Sequence, residues 1–187
     1  MLFRSSPYSS GFATYHSPCL CASSCPSTST KYSTMKEFDY SLDYQNLDFT
    51  DPETRKLYRI GRGEQGVLLV EPYKSHICAH WRFKDVATAR KSASKIYEMY
   101  CDYKRQKDFI GMDMARKFLE MGHTRSRRYA NHKNGKKYDK TGNIRPQETD
   151  ALTSIKAQSA SVFKDIRDRV AMDSEYVRMR KEWRAAE

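Results

Sequence analysis

The stretch FIGMDMARKFLEMGHTRSRRYANHKNGKKY, residues 109–138, decides how the remainder of the chain is interpreted. Apolar residues recur in it at helical spacing, and Asp108 can serve as the N-cap of this helix. Gly122 is placed for a left-handed C-cap. Thr124 then starts a second, basic helix, so the outline resembles a helix-turn-helix without its usual alanine-to-glycine offset. The predicted buried stripe of the first helix consists of Met114, Ala115, Phe118 and Leu119.

The second half of this stretch is cationic and is interrupted by aromatic and amide side chains. Its cations would neutralise phosphates, whereas Tyr129, Asn131 and His132 could reach bases by stacking or by hydrogen bonds. We therefore predict a nucleic-acid-binding surface in this segment. Its predicted residues are Arg125, Arg127, Arg128, Tyr129, Asn131, His132, Lys133, Lys136 and Lys137.

The charge of the chain is concentrated rather than scattered. The formal net charge is +11 over 187 residues, and residues 55–140 hold 22 basic and nine acidic residues. Such a field attracts nucleic acid or another polyanion, although a basic chain can also simply have a solvated surface. No apolar run approaches the roughly 18–20 residues of a membrane span, so we predict no membrane insertion.

The cysteines and histidines do not form a metal-binding pattern. Three of the five cysteines fall within the first 25 residues, and only Cys78 and Cys101 lie in the predicted folded part. No paired C-x-x-C knuckle and no disulfide framework is present in the sequence. We predict a reducing compartment, no metal and no cofactor.

The first 34 residues differ in composition from everything that follows. They are rich in serine, lack acidic residues and contain two bases, Arg4 and Lys31. This composition predicts a disordered leader, either a transit peptide or an extension that is not made because Met35 is the true start. The protein is expected to be intracellular: cytoplasmic if Met35 is the start, and in a plastid or mitochondrion if the leader is a transit peptide.

Residues 35–187 are predicted to form a single α+β domain whose small antiparallel sheet is covered by three or four helices. The apolar runs within Leu57–Val70 predict a hairpin, and His80–Lys84 predicts a third strand because its polar and apolar residues alternate. Gly61, Gly63 and Gly66 match G-x-G-x-x-G, but a strand pattern follows them. They fit positive-φ turn positions better than a phosphate cradle.

Three further helices are predicted from periodicity and capping residues. Asp85–Lys107 carries an apolar stripe behind an aspartate N-cap, and Ala151–Val170 carries another. Asp173 caps a last helix. Residues 131–150, which precede the helix predicted at Ala151–Val170, are predicted to be a basic loop that orders on contact with phosphates or stays solvated.

Several long motifs resemble one family. The motifs FDYSLDYQNLDF, LYRIGRGEQGVLLVEPYKS, HWRFK, GMDMARKFLEMG and TRSRRYANHKNGKKYD are similar to those of the domain of unknown function 4385 family. The resemblance covers roughly Phe38–Asp139 and, more thinly, the final helices. It implies a compact intracellular domain and supplies no catalytic residue.

Three hypotheses about function follow. The first is a basic nucleic-acid (polyanion) binding module. The second is an enzyme acting on a phosphorylated substrate, for which the acid–base candidates are Asp113, His80, His123 and His132, although the sequence shows no catalytic motif. The third is a structural subunit of a ribonucleoprotein assembly that contacts a protein partner through the C-terminal helices.

Overall fold

A computed structural model describes residues 38–187, and this part of the chain is helical without a single β-strand. The predicted leader, residues 1–34, lies outside the described residues. The helices share one hydrophobic core, in which α4 packs against α2, α3, α5 and α6. They are α1 (Pro52–Arg55), α2 (Tyr73–Cys78), α3 (Val86–Arg105), α4 (Phe109–Asn131), α5 (Ile155–Ala171) and α6 (Ser174–Ala186), with a 3₁₀ turn (Lys133–Gly135) after α4.

The prediction of an α+β fold with an antiparallel sheet was wrong. The predicted hairpin at Leu57–Val70 is a series of turns, in which Val67 and Leu69 donate backbone hydrogen bonds to carbonyls three residues earlier. Gly63 and Gly66 have φ values of 54° and 77°, so the expectation of positive-φ turn positions is confirmed for these two glycines and was wrong for Gly61. The apolar residues of this segment indicated burial, and burial does not by itself specify a strand.

The predicted third strand, His80–Lys84, is not a strand: His80 lies in a turn, Lys84 lies in a bend, and the residues between them have no regular secondary structure. Helices satisfy its polar groups instead. The backbone N–H of Arg82 donates to Ser92 Oγ on α3, and the indole N–H of Trp81 donates to the carbonyl of Phe118 on α4. This segment needs no neighbouring strand, because the Ser92 hydroxyl and the Phe118 carbonyl accept the hydrogen bonds of these two N–H groups.

The predicted helix boundaries hold where a capping residue marks them. Asp85 accepts a hydrogen bond from the backbone N–H of Thr88, and Asp173 accepts from the N–H groups of Glu175 and Tyr176. The third cap, Asp108, accepts from Gly111 N–H. The helix predicted at Ala151–Val170 begins later, because Ser154 is its N-cap. A carboxylate or hydroxyl at the first turn satisfies free amide groups, which is a local effect.

The predicted helix-turn-helix is absent, since α4 continues through Gly122 as one 23-residue helix. Gly122 lies where α5 crosses: a Cβ atom there would be 2.5 Å from Cδ1 of Phe163. Thr124 does not cap a helix either, because its hydroxyl donates to a carboxylate oxygen of Glu64. The glycine is therefore explained by close helix packing and not by a chain reversal.

Within residues 38–187, no helix combines the length and the apolar character that crossing a bilayer requires.

We expect Gly122→Ala to lower the free energy of unfolding by about 1–2 kcal/mol. The added methyl group would overlap the buried Phe163 ring, and this strain outweighs the gain of about 1 kcal/mol in helix propensity. Urea unfolding followed by circular dichroism measures the change. Arg128→Ala on the exposed side of α4 is the control and should stay within about 0.5 kcal/mol. A stabilised Gly122→Ala protein would contradict the close crossing of α4 and α5.

Candidate functional site

The buried charged side chains of the described chain form a cluster around the Asp113 carboxylate of α4. Asp113 Oδ2 accepts from the Tyr58 hydroxyl at 2.5 Å, and Oδ1 accepts from the Tyr176 hydroxyl at 2.6 Å. Arg116 Nε donates to Oδ1 at 3.1 Å, and Lys117 Nζ lies 3.3 Å from Oδ2. The carboxylate thus joins α4 to α6 and to the turn segment that contains Tyr58.

The cluster is electrostatically asymmetric because one carboxylate faces two buried cations. Burial alone would raise the pKa of Asp113, but the charges of Lys117 and Arg116 outweigh it and hold that pKa well below its usual range. Burial lowers the pKa of Lys117 even though Asp113 opposes this shift. Burial, together with the carboxylate, raises the pKa of Tyr58 well above its ordinary value, so this phenol stays a donor.

The cluster is suited to holding the fold together and not to proton transfer with a substrate. The side chains of Asp113 and Lys117 are both 0% exposed, and both carboxylate oxygens are occupied by donors. The histidines named as acid–base candidates lie elsewhere: His123 Nδ1 is 3.2 Å from the carbonyl of Ala160, and His132 is buried. The candidates for catalysis are therefore not assembled in one place.

No group of three or more potential metal-ligating side chains occurs among residues 38–187.

We expect Asp113→Asn to lower the free energy of unfolding by about 3–5 kcal/mol at neutral pH, because it leaves Arg116 and Lys117 buried without a counter-charge. The folded-state pKa of Asp113 is depressed, so its stabilisation is present above the unfolded pKa of about 3.9 and is lost as the pH falls below it. The difference between the two proteins should therefore narrow in acid. Urea titrations from neutral pH to below pH 4 measure it.

Two controls accompany that variant. Lys117→Met removes one of the two buried cations and leaves Asp113 paired with Arg116, so it should cost less than Asp113→Asn. Asp165→Asn changes an exposed carboxylate of α5 and should have little effect. An Asp113→Asn protein as stable as the Asp165→Asn protein would show that the cluster is not what holds these elements together.

Three of the nine residues predicted to bind nucleic acid lie inside the fold or bind other parts of it. The Arg127 guanidinium donates to the carbonyl of Ala151 at 2.9 Å and to the side-chain oxygen of Asn131 at 2.7 Å. His132 is 6% exposed. These side chains hold residues 131–151 against the end of α4 and are not free to contact bases.

The remaining six predicted residues are partly or fully accessible, but they are not equivalent. Tyr129 packs against Phe83 at 5.8 Å between ring centroids, and Lys156 Nζ lies 5.9 Å from its ring, so its ring is partly covered although 44% of the residue is exposed. Arg125 is half-buried beside a groove that also contains Tyr40. The four fully exposed cations, which we call the basic face, are Arg128, Lys133, Lys136 and Lys137.

Many cations elsewhere in the described chain pair with a carboxylate, whereas those between residues 125 and 140 do not. On α6, for example, Arg178 and Arg184 each lie within 2.7 Å of a glutamate oxygen. In the part of the chain that the structure describes, none of the following seven has a carboxylate within 4 Å: Arg125, Arg127, Arg128, Lys133, Lys136, Lys137 and Lys140. The one nearby acid in the sequence, Asp139, accepts from Thr141 and Asn143 instead.

Sequence reasoning missed a small hairpin in the predicted basic loop. Tyr138 and Ile144 form an isolated antiparallel bridge, and the backbone of Arg145 donates to the carbonyl of Lys137. The Asp139 carboxylate and Gly142, at φ 85°, shape its tip. The signal was present as an aspartate and a glycine within the run YDKTGNI, a common turn composition.

A second concave region lies against the first half of α3. This groove has a volume of about 520 Å³, and its basic lining residues are His80, Arg82, Lys91 and Lys95. Lys95 pairs with Glu98 at 3.0 Å, whereas Arg82 donates to the carbonyls of Cys78 and Trp81. We call it the α3 groove. It brings His80 next to cations, which its sequence position alone did not show.

Comparison with known proteins places the chain in one family. The model of the family described as domain of unknown function (DUF4385) matches residues 39–186, which is most of the chain, so the chain belongs to this family. The resemblance inferred from the sequence motifs is thereby confirmed. Neither a curated protein nor a solved structure matches the chain.

Proposed function

We propose that this member of the DUF4385 family binds nucleic acid, or a polyanion of similar charge density, through its basic face. The observation that supports the proposal is the run of seven cations without a carboxylate partner between residues 125 and 140. Unpaired surface cations repel one another and hold no internal counter-charge, so a row of phosphates stabilises them. The release of counterions from the nucleic acid adds to this affinity.

The mode of binding follows from how α4 is buried. Most of α4 faces the core on all sides, including Met112, Asp113, Met114 and Ala115 in succession, and only its last turns are exposed, so little helix surface is left to lie in a major groove. Asn131 and His132, which could have contacted bases, are engaged or buried. The contacts are therefore directed to phosphates, and affinity is expected to depend little on base sequence.

We expect binding of the 187-residue protein to a labelled oligonucleotide to weaken steeply as salt is raised. Five phosphate contacts correspond to a slope of log affinity against log salt of about −4.5 for a duplex and about −3.5 for a single strand. Replacing the basic face by alanine (Arg128, Lys133, Lys136 and Lys137 together) should remove most of that slope. Fluorescence anisotropy across a salt series measures it.

A matched variant distinguishes the effect of losing the basic face from the effect of lowering the net charge. Arg62, Lys84, Arg90 and Lys181 are exposed, have no carboxylate within 4 Å in the described chain, and lie on other elements. Their simultaneous replacement by alanine removes the same four charges and should leave most of the salt slope. Equal losses in both variants, or a flat salt dependence of the wild-type protein, would contradict the proposal.

The second candidate, binding of a small phosphorylated molecule, is favoured by the α3 groove. Lys91 faces this groove without an acidic partner in the described chain, and Arg82 and His80 lie beside it. Cations around a cleft of about 520 Å³ suit a phosphate group better than a long strand. An enzymatic step at this groove, and a role as a ribonucleoprotein subunit, remain predictions.

If the groove takes a phosphorylated ligand, inorganic pyrophosphate should raise the Tm of the protein, since a ligand that binds only the folded state stabilises it. Lys91→Ala should abolish that rise, whereas the basic-face variant should keep it. Differential scanning fluorimetry measures both. A rise that is lost in the basic-face variant and kept in Lys91→Ala would place the phosphate on the basic face and count against the groove.

A further inference from the structure

The hairpin of residues 137–145 is held in one shape by its own hydrogen bonds. The backbone of Asp139 donates to the carbonyl of Asn143 at 2.9 Å, and that of Arg145 donates to the carbonyl of Lys137 at 2.9 Å. The Asp139 side chain accepts from the N–H groups of Thr141 and Asn143. The tip is therefore fixed before any ligand arrives, which reduces the entropy lost on binding.

The hairpin carries two apolar side chains outward. Residues that face each other in an antiparallel bridge project to the same side, so Tyr138 and Ile144 share one face. Tyr138 is 54% exposed and Ile144 is 64% exposed. Both side chains are therefore open to solvent and can contact a ligand.

Cations flank this apolar pair on both strands of the hairpin. Lys137 Nζ lies 5.4 Å from the centroid of the Tyr138 ring, and Lys136 precedes it on the same strand. Lys140 and Arg145 lie at the tip and on the returning strand, and neither has a carboxylate within 4 Å among residues 38–187. An exposed ring bordered by unpaired cations is complementary to a base bordered by phosphates.

We propose that this hairpin binds single-stranded nucleic acid by stacking a base on Tyr138, while the flanking cations contact the adjacent phosphates. This inference rests on the proposed function and specifies its substrate class. A base in a duplex is already stacked on its neighbours and cannot cover Tyr138, whereas an unpaired base can. Ile144 extends the apolar platform beside the ring.

The two tyrosines of the region have different roles in this arrangement. Tyr129 lies against Phe83 and beneath Lys156, whose ammonium also donates to the carbonyls of Phe83 and Lys84. Tyr129 therefore joins α4 to residues 80–84, which precede α3. Tyr138 has no aromatic neighbour among the ring pairs of the described chain and is 54% exposed against 44% for Tyr129, so its ring is the more accessible of the two for a base.

The test measures the affinity of the 187-residue protein for a labelled oligouridylate and for a labelled blunt-ended RNA duplex at one low salt concentration. Tyr138→Leu keeps an apolar side chain but removes the ring, and should weaken single-strand binding by roughly 5- to 150-fold, the value of one stacked base. Duplex binding should change less than about twofold. Tyr138→Phe retains the ring and should bind the single strand within about twofold of wild type.

Tyr40→Leu is the matched control, because Tyr40 is 62% exposed but belongs to a different part of the surface. It should leave both affinities unchanged. Because more than half of Tyr138 is exposed, its variants should fold as the wild type does, and circular dichroism verifies this.

The outcomes separate this inference from the proposed function. If Tyr138→Leu binds the single strand as wild type does while the basic-face variant loses binding, stacking is overturned and polyanion binding stands. If the basic-face variant also binds as wild type does, both fail. Tyr138-dependent binding to phosphatidylcholine–phosphatidylserine vesicles, with none to the oligouridylate, would overturn the inference in favour of a membrane surface.

Discussion

The buried carboxylate of Asp113 is the contact on which the arrangement of the other elements depends. It accepts hydrogen bonds from Tyr58 and Tyr176, whose positions in the sequence are far apart, and it neutralises part of the charge of Arg116 and Lys117. Arg116 also donates to the carbonyl of Gly63, so the same cluster fixes the turn segment that contains this glycine. A buried charge is stable only with its partners in place, which makes these contacts mutually dependent.

This dependence explains how residues 57–70 can contribute buried side chains to the core without forming a sheet. Tyr58, Ile60 and Val70 fill the core, while the backbone groups between them are satisfied by short turns and by α6: the indole N–H of Trp183 donates to the Tyr58 carbonyl. Backbone groups of this segment are therefore paired by partners that are not strands.

The core and the basic surface are two consequences of one long helix. The first half of α4 is enclosed by its neighbours, so its charged residues must pair internally, as Asp113 does with Lys117. Its end emerges at Arg128, where the chain carries cations without acidic partners and continues into the small hairpin. The buried first half of α4 fixes the position of its exposed end. Side chains on a helix end have better-defined positions than side chains on a free loop.

The sequence by itself determined the parts of the structure that depend on near neighbours in the chain. Asp85, Asp108 and Asp173 mark helix starts because a cap acts within three residues, and spacing of three and four revealed the apolar stripes. Family membership was also evident from the motifs, and the concentration of cations could be read directly from the sequence.

The sequence did not show which of these residues lie on the surface, because burial is decided by residues that are distant in the chain. Only the tertiary structure showed that Gly122 makes room for Phe163, that Arg127 holds Asn131, that His132 is enclosed and that Tyr138 is open. Each of these depends on a packing partner or a loop path that no local pattern specifies.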